Sequence, residues 1–112
     1  MTTALAFLAA AAAGALARAA AGRRWNRRDG MPWGTLAVNV SGSFALGLLH
    51  HVTPPVITVV GVGGLGALTT FSSFARDVVA LADGRKLAML AAYVAISLGA
   101  GITAAALGVA LA

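Results

Sequence analysis

The 112-residue chain is 60% hydrophobic and 10% charged, with a mean hydropathy of +0.91. A soluble domain of this size could not hide so much apolar surface, so the bilayer is the expected solvent. Cysteine is absent, which excludes disulfides, thiolate metal sites and cysteine nucleophiles, and the net charge of +5 sits beside apolar runs, as the positive-inside bias of membrane proteins predicts, without pointing to nucleic acid.

Four membrane helices are predicted in chain order, forming a single all-α transmembrane domain over residues 1–112. The first covers about Thr3–Ala21. Its arginines follow the apolar stretch instead of preceding it, so it reads as a retained span and not a cleaved signal peptide. The second covers about Pro32–Val52, the third Val56–Ala82 and the fourth Leu87–Ala112. Their separators, GRRWNRRDG (22–30), TPP (53–55) and DGRK (83–86), carry charges or helix-stopping residues. No internal repeat is evident, and the alanine run Ala9–Ala13 is only compositional.

Four crossings place the first and third loops on one side. Arg23, Arg24, Arg27 and Arg28 lie in the first loop, Arg85 and Lys86 in the third, and Arg18 and Arg76 near the same side. The opposite side has no Lys or Arg, which predicts those loops in the cytoplasm and both termini outside.

Polar residues within the spans are few and patterned. Thr35, Asn39, Ser43 and Gly47 recur every four residues, stacking on one face of the second helix. A carboxamide in lipid must find partners, so Asn39 is either interhelical glue or part of a pore-lining stripe. The third span carries GVGGLGALTTFSSF (61–74), where four glycines precede four hydroxyls and two phenylalanines. Glycine weakens a helix, so a break is expected here, and in lipid a broken helix is tolerated only against protein or an aqueous path. Phe71 and Phe74 are three apart and so are near neighbours. Helical spacing alone fits lipid-facing or core rings, but ring edges carry positive potential that can meet an anion. In the fourth helix Tyr93, Ser97 and Gly101 repeat the four-residue spacing, as a hydroxyl ladder or as ordinary packing. Arg18 is placed to snorkel at the end of the first helix, and His50 and His51 lie near the outer interface. The acidic residues are only Asp29, Asp77 and Asp83, with no metal cluster and no nucleophile–base pair, so an enzyme is not expected.

These pieces together, GALAR (14–18), GTLAVN (34–39) running on through SGSFALG (41–47), and GALTTFSSF (66–74), resemble the Fluc (CrcB) family of fluoride channels. The resemblance covers nearly the whole chain. It implies an antiparallel dimer of four-helix subunits, with two fluoride pathways along the interface. It also implies a structural, untransported Na⁺ at the dimer centre, held by backbone carbonyls that fall on Gly66 and Thr69. The family's phenylalanine pair falls on Phe71 and Phe74, its pore asparagine on Asn39 and its hydroxyl track on Ser72, Tyr93 and Ser97. Arg18 matches a basic residue at the end of the first span, and Asp77 an acidic residue near the vestibule. Three positions depart from the pattern: Ala67 for a second glycine, Ser73 for threonine, and Gly101 for a further hydroxyl.

The implied activity is passive export of fluoride from the cytoplasm across the bacterial inner membrane. A small multidrug transporter is the first alternative, and the lack of a carboxylate in the first span argues against it. A non-transporting assembly subunit is the second, and Asn39 with the TTFSSF run argues against that. Homodimers of this family insert both ways, which a strong charge bias opposes. The expected partner is therefore an oppositely oriented homologue, with a homodimer as the alternative.

Overall fold

The computed structural model describes residues 1–27 and 29–112, so Arg28 of the first loop lies outside the described residues. Helix α1 spans Thr2–Trp25 and α2 spans Trp33–Leu48. A π-helix, Ile57–Leu65, runs into the short α3, Gly66–Leu68. Helix α4 spans Phe71–Asp83 and α5 spans Leu87–Leu111. The architecture is all-helical, with no strand among the described residues.

Three stretches are long and apolar enough to cross a membrane: Thr2–Trp25, Ile57–Asp83 and Leu87–Leu111. Helix α2, at 16 residues, is shorter than expected and ends at Leu48 instead of continuing to Val52. Its last carbonyls close onto Leu49 and His50, and the chain then turns through Val52 toward the proline pair. Helix α1 runs four residues further than expected, because Gly22 is tolerated mid-helix and Arg23 and Arg24 face the negative end of the helix dipole.

The break in the third helix falls within the expected stretch, at its two threonines. Gly61, Gly63 and Gly64 do not interrupt the helix; they lie in a stretch wound with wider π-helical turns. Gly66 keeps helical angles (φ −62°, ψ −36°). The chain opens instead at Thr69 (φ −78°, ψ 154°) and Thr70 (φ −153°, ψ 117°), both extended. In hydrocarbon a backbone group has no water to turn to, so a glycine segment keeps its internal bonds and changes only its pitch.

The molecule is a slab of 48 × 29 × 18 Å. At about 10 Å per helix diameter, 18 Å leaves no helix fully enclosed. Large apolar side chains such as Leu5, Leu16, Val62, Leu98 and Ile102 accordingly face outward. A small core of Met31, Leu36, Leu81 and Tyr93 lies at the charged-loop end, between α2, α4 and α5. Close approach elsewhere is set by small residues. Helices α2 and α5 meet at Gly47 and Gly108: a Cβ on Gly47 would run into the Ala105 carbonyl, and one on Gly108 into that of Phe44. Replacing Gly108 with valine is expected to lower stability by about 1–3 kcal/mol, the usual range for overpacking. Thermal unfolding in detergent should report this as a clear drop in midpoint.

Candidate functional site

Breaking a helix leaves peptide groups without partners, and the residues around Thr70 supply replacements. The Thr70 N–H donates to Asn39 Oδ1 at 2.7 Å, and Asn39 Nδ2 donates back to the Thr70 carbonyl at 3.1 Å. One carboxamide thus replaces both main-chain partners that Thr70 loses by leaving the helix. Thr70 also caps α4: its Oγ1 accepts from the Ser73 N–H at 3.0 Å and lies 3.2 Å from Ser72 Oγ. Thr69 Oγ1 donates to the Leu65 carbonyl at 2.9 Å, folding that side chain back onto the preceding turn. Gly42 is a close-approach position here, since a Cβ would collide with Thr69 Cγ2. Among the described residues, no hydrogen bond ends on the carbonyls of Gly66 or Thr69.

Beside the break lies a cavity of about 350 Å³ between α2, the π-helix, α4 and α5. Asn39, Gly66, Thr69, Phe71, Phe74 and Ser97 all line it. Phe71 is 80% exposed at its rim, with its ring centre 6.0 Å from that of Phe74. Phe74 in turn lies 5.2 Å from the Tyr93 ring, so three tilted rings form a ladder. Ser97 Oγ is the one buried side-chain polar atom without a hydrogen-bond partner among the described residues. Serines in helices commonly bond back to the i−4 carbonyl, as Ser43 does to Asn39 O at 2.8 Å. Ser97 instead presents an unspent hydroxyl at the cavity wall.

The remaining expected residues lie around this centre. Tyr93 is fully buried and spends its O–H on Asp77 Oδ2 at 3.0 Å. Asp77 lines a separate cavity of about 220 Å³ toward the charged loops, next to Arg27 and Lys86. Ser72 sits beside the break, bonded to Thr70, and is not on the cavity wall. Arg18, half-buried on α1, also lies outside it.

Two features escaped the sequence reading. Thr70 is the residue the break turns on, and the signal was present: a threonine three residues before a hydroxyl residue at a helix start. The second is a pair like Asn39–Thr70. Asn26 Nδ2 donates to Thr35 Oγ1 at 3.1 Å, and its Oδ1 accepts from the Thr35 N–H at 3.0 Å. This pins the first loop onto the start of α2. The polar stripe on α2 is therefore glue at Thr35 and Asn39, while Asn39 also borders the cavity.

The arrangement defines a helical membrane protein with a largely apolar cavity at a helix break, into which a few polar groups project. A sequence model of the family described as "CrcB-like protein, Camphor Resistance (CrcB)" matches residues 5–109, and the chain belongs to this family. It is 44% identical to "Fluoride-specific ion channel FluC 1" of Symbiobacterium thermophilum, over 91% of this chain and 90% of that one. It is 39% identical to "Fluoride-specific ion channel FluC" of Bordetella avium, over 91% of this chain and 86% of the relative. The same identity holds for the protein of that name from Bordetella petrii, over 95% and 88%. These relatives are named as channels, not as enzymes.

Removing the Asn39 carboxamide leaves the buried Thr70 N–H and carbonyl unpaired. Asn39→Ala is expected to cost about 1–3 kcal/mol for each of the two groups. Denaturant or thermal unfolding in detergent should show a loss larger than that of Ser43→Ala, whose hydroxyl only bonds back to its own helix.

Proposed function

We propose that the chain is a subunit of a fluoride channel that lets the anion leave the cytoplasm passively. The observation that carries this is the unspent Ser97 hydroxyl on a cavity shared with Asn39, Phe71 and Phe74. Fluoride is small and strongly hydrated, so a path through lipid must replace its water with donors. Ser97 Oγ offers one, and Asn39 keeps an Nδ2 hydrogen beyond the one used on Thr70. The edges of Phe71 and Phe74 add positive potential without a fixed charge that would trap the ion. The names of the relatives support the choice of anion.

Hydrofluoric acid crosses membranes as a neutral molecule and dissociates near neutral pH, leaving fluoride trapped inside. The negative interior then drives the anion outward with no need of ATP. Tyr93, its proton held by Asp77, and Ser72, bonded to Thr70, flank the path and orient its walls. Arg18 belongs to the scaffold on this reading.

The carbonyls of Gly66 and Thr69 fit a structural Na⁺, because a hard cation takes oxygen ligands and no donor outside their own helices reaches these two among the described residues. When bound there, the ion would supply a fixed positive charge that lowers the barrier for an anion nearby. We place the chain in the bacterial inner membrane with α2 as a fourth crossing, the first and third loops cytoplasmic and the termini outside. Phe71 and the cavity rim face outward in the single subunit, which fits closure by a second, antiparallel subunit. The one-sided cluster of Lys and Arg favours an oppositely oriented homologue over a second copy.

In liposomes loaded with fluoride, the chain with its partner is expected to support efflux read by a fluoride electrode. Phe71→Ile and Phe74→Ile should each cut the rate at least about tenfold, the equivalent of about 1.4 kcal/mol, while leaving the unfolding midpoint near wild type. Undiminished efflux from both variants would remove the rings from the path. Topology tagging of the chain expressed alone should find one orientation. Comparable amounts of both would instead favour the homodimer.

A further inference from the structure

We propose that the groove at the charged end, rimmed by Arg27 and Trp33, is a binding site for an anionic phospholipid of the surrounding bilayer. This groove, of about 660 Å³, is lined by Arg27, Asp29, Gly30, Met31, Trp33 and Met89. Its lining is amphipathic in the lipid sense. A guanidinium stands at the loop end, and Trp33, Met31 and Met89 provide an apolar wall where α2 and α5 enter the membrane. Trp25 and Trp33 are both about half exposed, at 51% and 46%, at the level where indole rings settle between head groups and chains.

Charge complementarity selects the head group. Arg23, Arg24, Arg27, Arg85 and Lys86 lie at this end against the three carboxylates of Asp29, Asp77 and Asp83, which leaves a positive excess. Lys86 folds across to the Asp29 main-chain carbonyl, which ties the third loop to the first. Lys86 lines the adjoining cavity together with Arg27, Asp29 and Asp77, and that cavity shares Arg27, Asp29 and Gly30 with the groove.

Two further features point to cations held in place. Asn26 is locked to Thr35, so Arg27 projects from a pinned turn and little ordering is needed on binding. Arg85 has a φ of 56°, a left-handed conformation that suits glycine, yet Gly84 beside it has a φ of −78°. An arginine therefore occupies a strained position on the turn between α4 and α5 that a glycine would relax.

The test uses the full chain in vesicles of phosphatidylcholine with about one quarter phosphatidylglycerol, followed by gentle extraction and mass spectrometry of the retained lipid. Wild type should retain phosphatidylglycerol about fivefold above its bulk proportion, the equivalent of about 1 kcal/mol for one well-placed cation. The enrichment should fall as salt rises and should survive added inorganic phosphate. Arg27→Gln should bring the ratio to near bulk and Arg27→Lys should largely restore it. Arg76→Gln removes the same charge from α4, outside the groove, and should leave the ratio unchanged. Bulk-ratio lipid on the wild type overturns the proposal without need of any variant. Equal losses in Arg27→Gln and Arg76→Gln would reduce it to diffuse surface charge, and displacement by inorganic phosphate would mean a free-anion site instead. Each of these readouts is independent of whether the chain conducts.

Discussion

A peptide group in hydrocarbon has no water to fall back on, and leaving one unpaired costs several kcal/mol. A helix can open in the middle of a membrane only if another element arrives with matching donors and acceptors. At Thr70 that element is Asn39, whose carboxamide donates once and accepts once. Much of the packing follows from this one requirement. Helix α2 must lie against the break, Gly42 must be small enough for Thr69 to nest beside it, and Gly47 with Gly108 lets α5 close in from the other side. Only then does Ser97 reach the cavity.

The polar groups within the slab divide into two sets. Asn26 with Thr35, Asn39 with Thr70, and Tyr93 with Asp77 satisfy one another and hold the helices in register. Among the described residues, Ser97 Oγ and the carbonyls of Gly66 and Thr69 are left over after that accounting. Satisfied groups give shape, and unsatisfied ones have affinity to spare. The leftover set contains both a hydroxyl donor and main-chain acceptors, and all three residues line the one cavity beside the break.

The spans were legible from hydropathy because apolar length is a property of local sequence. The first, third and fourth came within a few residues of their observed ends. The break was legible to the stretch 61–74, though not to the pair of threonines that open the chain. Glycine propensities describe a competition with water that does not operate inside a bilayer, so Gly61, Gly63 and Gly64 changed the helical pitch and the two threonines opened the chain. Asn39, Phe71, Phe74 and Ser97 could be singled out by type and spacing, and Gly66 and Thr69 by the family resemblance; all six line one cavity. What Asn39 holds could not be read, because its partner lies 31 positions away and is main chain, not side chain. Tyr93 could be read as a hydroxyl on a ladder, but not as one whose proton is already committed to Asp77.

The Asn39 bridge has a consequence for how related sequences diverge. It grips the backbone at position 70 and is indifferent to the side chain there. Among side chains at position 70, only proline, which lacks the N–H, would remove the donor half of the bridge. The two positions therefore have no reason to change in concert. Position 70 is free to exchange among residues able to cap α4, while position 39 is confined to a side chain with a donor and an acceptor side by side. Methods that infer contacts from correlated substitution will be blind to this pair, although it is the tie that holds the opened helix together.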